Sequence, residues 1–196
     1  MKILITSFGP FNNFKVNPSN LVMQLLKEKT LNNNLKDEFH WQTLDVSYDD
    51  VLKFEKGIKH ENFDYIIHLG VATLDPIMRF ETLAKNKRQG KDILGNNPNS
   101  KIIEEEKTEI ISGIEIETLN KVIIKFPKFV RISYDAGEYL CNYIYYLSLS
   151  SNLANQKVMF IHIADFQNCA NAVSLENQVN VISELLSELG DNQNPN

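Results

Sequence analysis

Short apolar runs alternate along this chain with longer stretches in which apolar residues return every three or four positions. The segment KILITSF at residues 2–8 is β-branched and apolar, and predicts a buried strand. A turn-rich loop, GPFNNFKVNPS, leads to Pro18, from which Leu21, Leu25 and Lys29 continue at helical spacing. FHWQTLDVS reads as a second strand. SYDDVLKFEKGIKH reads as an amphipathic helix with Val51, Phe54 and Ile58 on one stripe. DYIIHLGVA is a strongly apolar strand, and PIMRFETLAKN contains or begins another. Residues 87–113 are polar, interrupted by Gly90, Gly95 and Pro98, and predict a long loop of the kind that often carries function. GIEIETLNKVIIKF alternates at first and then takes helical spacing, so its pattern fits either element.

The C-terminal third is clearer. KFVRIS and KVMFIHIA predict strands, with the helix DAGEYLCNYIYYLSLSS between them. Asp135 and Glu138 have capping-box spacing, which allows this helix to start at Asp135 or, with a stronger dipole effect on Cys141, nearer Gly137. In the last helix, SLENQVNVISELLSEL, the residues Val179, Ile182, Leu185, Leu186 and Leu189 face inward. Strands alternating with helices predict one α/β domain over residues 1–190, with a frayed polar tail at 191–196. The expected architecture is an open, twisted, mostly parallel mixed sheet with helices on both faces. Ligands of such sheets gather at the carboxyl ends of the strands.

Composition narrows the function. The 196 residues carry a net charge of −5, which argues against a general nucleic-acid or anionic-membrane binder. No segment has the length of an apolar membrane span, and the N-terminal run lacks a cleavage site. Cys141 and Cys169 are too few for a disulfide framework and sit in no metal-binding pattern, which fits a reducing compartment. No phosphate-binding, dinucleotide or zinc-protease fingerprint occurs, so nothing points to ATP or NAD.

The residues offer candidates with competing readings. Cys141 is either a core thiol or a nucleophile near a helix start, where the dipole favours a thiolate. His162, at the end of an apolar strand, is either a satisfied core histidine or a base. His68 in YIIHLG has equal standing. Glu81 is the orienting carboxylate of a triad, a surface glutamate or a partner of Arg79. Phe8 and Phe11 flank a Gly-Pro turn and could clamp a flat apolar ligand or simply pack. Asn17, before Pro18, suits a helix cap.

Four stretches together resemble the pyroglutamyl peptidase type I family of cysteine peptidases. ITSFGPFNNFKVNPS is similar to its N-terminal Thr-Gly-Phe-x-Pro-Phe…Asn-Pro segment. DYIIHLGV and FETLAKN are similar to its Ile-His-Val-Gly and Glu-x-x-Ala-x-Asn segments. ISYDAGEYLCN is similar to its nucleophile motif, and FIHIA to its Phe-Ile-His-Val-Pro strand end. The resemblance implies Cys141 as nucleophile, His162 as base and Glu81 as the group that orients it. It implies a pyroglutamyl pocket from Phe8, Phe11, Asn17 and Tyr139. It also implies peptide substrates with N-terminal pyroglutamate, a cytosolic location, no cofactor and a homo-oligomer. The chain departs from the family at Ser7, at Asn12-Asn13 in place of Gly-Gly, at Thr82, and at Ala164 in place of proline. The family's loop arginine has its nearest equivalent in Lys91, the expected oxyanion donor, or in Arg88 under a shifted loop. Two alternatives stay open: a weak or inactive paralogue that binds a ligand or partner, and another α/β small-ligand enzyme, disfavoured by the lack of a phosphate-binding pattern.

Overall fold

The computed structural model describes residues 1–11, 14–32, 37–151 and 156–191, so Asn12, Asn13 and residues 192–196 lie outside it. The strands are β1 (Lys2–Phe8), β2 (Glu38–Leu44), β3 (Tyr65–Ala72), β4 (Met78–Glu81), β5 (Leu83–Lys85), β6 (Arg88–Gln89), β7 (Asn99–Ser100), β8 (Glu109–Ile111), β9 (Val130–Ser133) and β10 (Lys157–Ala164). The helices are α1 (Pro18–Asn32), α2 (Tyr48–Ile58), α3 (Ile116–Lys125), α4 (Leu140–Ser150) and α5 (Leu175–Asp191).

Six strands form one sheet in the order β2-β1-β3-β10-β4-β9. β3 and β10 lie at its centre and are buried along almost their whole length, as their unbroken apolar sequences require. All pairings are parallel except β4 against β10. That reversal brings the start of β4, at Met78–Arg79, beside the carboxyl ends of β3 and β10. One face of the sheet packs Ile67, Met159, Ile161 and Phe80 under α1, α3 and α5. The other packs Phe8, Ile66 and Phe160 under α2 and α4. Burying each such side chain stabilises the fold by about 1.5–3 kcal/mol. The inward residues expected for α5 are all buried, at Val179, Ile182, Leu185, Leu186 and Leu189.

The fold settles three stretches whose pattern left room. PIMRFETLAKN divides at Thr82 into β4, which joins the large sheet, and β5, which leaves it to pair with β8. The ambiguous GIEIETLNKVIIKF contains a helix, α3, whose N-cap residue Glu115 makes no side-chain cap bond. The nucleophile-motif helix does not start at Asp135. Gly137 has φ of +78°, a left-handed turn, and α4 begins only at Leu140. The Asp135 carboxylate instead accepts from the Gly137 N–H at 3.0 Å and from Lys85 at 2.9 Å.

Candidate active site

Because α4 starts late, Cys141 is its second residue. It sits in the first turn, among N–H groups that have no intrahelical acceptor. The thiol reaches the sheet through a gap at Gly70. A Cβ placed on Gly70 would lie 2.9 Å from Cys141 Sγ and 2.7 Å from Phe160 Cζ, too close for any side chain. Gly70 pairs with His162 across β3 and β10, and His162 pairs with Arg79 across β10 and β4. One residue row of the sheet therefore runs Gly70, His162, Arg79. Phe160 and Glu81 are opposed in the neighbouring row on the same face.

His162 Nδ1 donates to Glu81 Oε1 at 2.7 Å; the carboxylate can only accept, so the pairing leaves Nε2 as the free imidazole nitrogen. Both groups are buried, Glu81 completely. Burial lowers the His162 pKa below its usual 6.5; Glu81 raises it again, while Arg79 lowers it. Burial pushes the Cys141 thiol up to about 12, and Glu81 adds to that; Arg79 and the thiol's own backbone amide act the other way. The resting pair is therefore a neutral thiol and a neutral imidazole.

Cys141 and His162 open onto one cavity of about 340 Å³, a size suited to a small ligand. Phe8, Phe11, Val46 and Val71 give it apolar walls, and Ala136 to Tyr139 close the side towards α4. Phe11 packs its ring on Phe14 with centroids 5.3 Å apart, and Phe8 is buried. Asn17 borders the cavity, but its amide is used locally. Its Oδ1 accepts from the Ser19 N–H and hydroxyl, and its Nδ2 donates to the Gly9 carbonyl. Tyr139 also lines the cavity, and its hydroxyl donates to the Lys91 carbonyl.

The structure does not bring Lys91 into this group. Its side chain is exposed and is not part of the cavity wall. Arg88 is engaged elsewhere: its Nε donates to Ser100 Oγ, and its guanidinium lies over the Tyr143 ring. The cation that does line the cavity is Arg79, which motif reading left as a mere partner of Glu81. His68 is also resolved. It is fully buried, its Nδ1 contacts Thr6 Oγ1 and its Nε2 contacts Ser148 Oγ, each at 2.8 Å. Burial brings it down to about 3, so it is a neutral core histidine.

The altered loop after Glu81 is docked on the helix that carries the thiol. Asn142 Oδ1 accepts from the Lys85 N–H, and Nδ2 donates to the carbonyls of Lys85 and Lys87, all at 2.8 Å. Lys85–Asp135 and Lys87–Glu138 ion pairs, at 2.9 and 2.8 Å, add to it. Gly90, with φ of +108°, lets the chain pass the Tyr139 ring. Asn142 is fully buried, so Asn142→Ala should strand three backbone groups and cost about 2–4 kcal/mol, read as a fall in melting temperature.

The chain has relatives among known proteins. The pyroglutamyl peptidase family model matches residues 1–177. Human pyroglutamyl-peptidase 1 is 28% identical over 193 residues, covering 95% of this chain and 90% of that protein. The pyrrolidone-carboxylate peptidase of Fusobacterium nucleatum is 30% identical over 168 residues, covering 83% and 77%. Among solved structures, the pyrrolidone carboxyl peptidase of Fervidobacterium islandicum superposes with a TM-score of 0.85 at 26% identity, covering 97% and 99% of the two chains. That of Thermococcus litoralis has the same fold, with a TM-score of 0.85 at 22% identity and coverage of 98% and 94%. The match over nearly the whole length places the chain in the pyroglutamyl peptidase family.

Proposed function

We propose that this chain is a cysteine peptidase that removes N-terminal pyroglutamyl residues from peptides, with Cys141 as nucleophile, His162 as base and Glu81 orienting the imidazole. The observation that carries this reading is the 2.7 Å His162–Glu81 bond beside a thiol that shares its cavity with Phe8 and Phe11. The Cys141 sulfur attacks the carbonyl that joins the lactam residue to the rest of the peptide. His162 Nε2 takes the thiol proton as the C–S bond forms, then gives it to the leaving amine as the C–N bond breaks. A water molecule, deprotonated by the same imidazole, releases pyroglutamate and restores the thiol. With Lys91 outside the cavity, the N–H groups of the first turn of α4 stabilise the oxyanion, each donor being worth about 3–4 kcal/mol.

The cavity also accounts for the choice of substrate. A lactam carries no charged amine, so it can be buried between phenylalanine rings. A free glutamate or glutamine amine would lose its hydration against those rings, and the carboxylates bordering the cavity, Asp135 and Glu138, are already paired with Lys85 and Lys87. Phe11 is only half-buried, so its truncation should spare the fold. Phe11→Ala is expected to lower kcat/KM on a fluorogenic pyroglutamyl amide by roughly 10- to 100-fold, the worth of one lost aromatic contact. Unchanged kinetics would remove Phe11 from the pocket. The reading itself fails if the reduced wild-type protein does not turn over that substrate. No helix among the described residues is long and apolar enough to cross a membrane.

A further inference from the structure

Arg79 stands outside the three residues just assigned, yet it is built into the row of His162. It lies directly opposite His162 on one side and Arg131 on the other. Its Nε is 3.2 Å from Glu81 Oε1, the same oxygen that accepts from His162. The contact lacks hydrogen-bond alignment and Nε is buried with no other hydrogen-bond partner, so the interaction with Glu81 is one of charge. On its other side Asp75 Oδ2 is 3.6 Å from Arg79 Nε and 3.1 Å from Arg131 Nη2. Asp75 thereby separates two arginines that would otherwise repel across the β4–β9 pair. The charged or titratable groups around Arg79 are thus Glu81 on its own strand, Asp75 from the turn before it, Arg131 from β9 and His162 from β10. Cys141 from α4 and Asp135 from the loop before it complete the set.

We propose that Arg79 is a positioning residue that offsets the pull of Glu81 on the imidazole, so that His162 rests neutral and free to accept the thiol proton. The inference rests on the triad reading above. A carboxylate beside an imidazole orients it but also favours its protonated form, which cannot act as a base. A guanidinium on the same carboxylate oxygen keeps the orientation and cancels part of that bias. The same cation works against Glu81 at the thiol, since Arg79 favours the thiolate there. Asp75 opposes Arg79 at the histidine, because it favours the imidazolium. The two residues therefore make predictions of opposite sign.

The test measures two pH profiles on wild type, Arg79→Gln, Arg79→Lys and Asp75→Asn: kcat/KM on a pyroglutamyl amide, and the rate of Cys141 alkylation by iodoacetamide. In Arg79→Gln the acid limb of kcat/KM should move up by about 1 pH unit, and the rise of alkylation should also move to higher pH. Arg79→Lys should recover most of both shifts. Asp75→Asn should move the acid limb the other way. A slower Arg79→Gln enzyme with both profiles unmoved would overturn the inference, since a merely structural role lowers rate without moving either profile. Asp75→Asn provides the second perturbation where Arg79→Gln folds poorly. If wild type shows no turnover, the peptidase reading falls, while the alkylation profiles still decide the case for Arg79.

Discussion

Cys141→Ala is expected to abolish hydrolysis of a pyroglutamyl amide, lowering kcat by about 10⁴-fold or more, because the members of a nucleophile–base set fail together. The fold should tolerate the change. The thiol makes van der Waals contact near Gly70, and alanine is smaller, so only a small void is left. Turnover and melting temperature measured on the same preparation separate the two effects. Turnover near the wild-type rate would show that the nucleophile lies elsewhere. Intact-mass analysis after iodoacetamide adds a control, since the second thiol, Cys169, follows β10 and is absent from the cavity wall.

Glu81→Gln should cost about 10³- to 10⁴-fold in kcat with a small change in KM. The glutamine retains the shape of the glutamate. Its oxygen can still accept from Nδ1, but its NH₂ can equally face the ring and impose the tautomer with the proton on Nε2, which cannot take one from sulfur. The charge is lost in both cases. Glu81 raises the pKa of His162, so its removal lets the acid limb of the remaining activity move to lower pH. The sign is checkable. A histidine that loses a raising partner protonates at lower pH and so stays a base further into acid. An acid limb that moves up, or an unchanged kcat, would remove Glu81 from the role of orienting group. The main-chain position should hold, because Tyr145 donates its hydroxyl to the Glu81 carbonyl at 2.9 Å.

Much of this was legible in the residues themselves, for reasons that differ between elements. β1, β3 and β10 are buried on both faces, so they appear as predominantly apolar runs without the alternation of a half-exposed strand. α5 packs one face only and so shows helical spacing. The family resemblance identified Cys141, His162 and Glu81 as a group, and the fold brings His162 and Glu81 into direct contact. What stayed hidden depends on partners far along the chain. Asp135 and Glu138 have the spacing of a helix cap, but Lys85 and Lys87 claim their carboxylates, and Gly137 turns the chain left-handed between them. α3 carries no side-chain cap to announce its start. Arg79 looked like an ordinary charge on a half-apolar strand, because only the reversed pairing of β4 with β10 sets it opposite His162. Lys91 matched by position along the chain, but the docked loop directs its side chain outward.

Gly70 gives a way to read other chains of this kind. A Cβ there would press on the sulfur at 2.9 Å and on the Phe160 ring at 2.7 Å, so glycine, ring and thiol form a single unit written at three distant positions. A chain that keeps a cysteine at the start of α4 but has any larger residue at this point of β3 has lost the seat of its nucleophile. It should turn over substrate weakly or not at all, however complete its other motifs look.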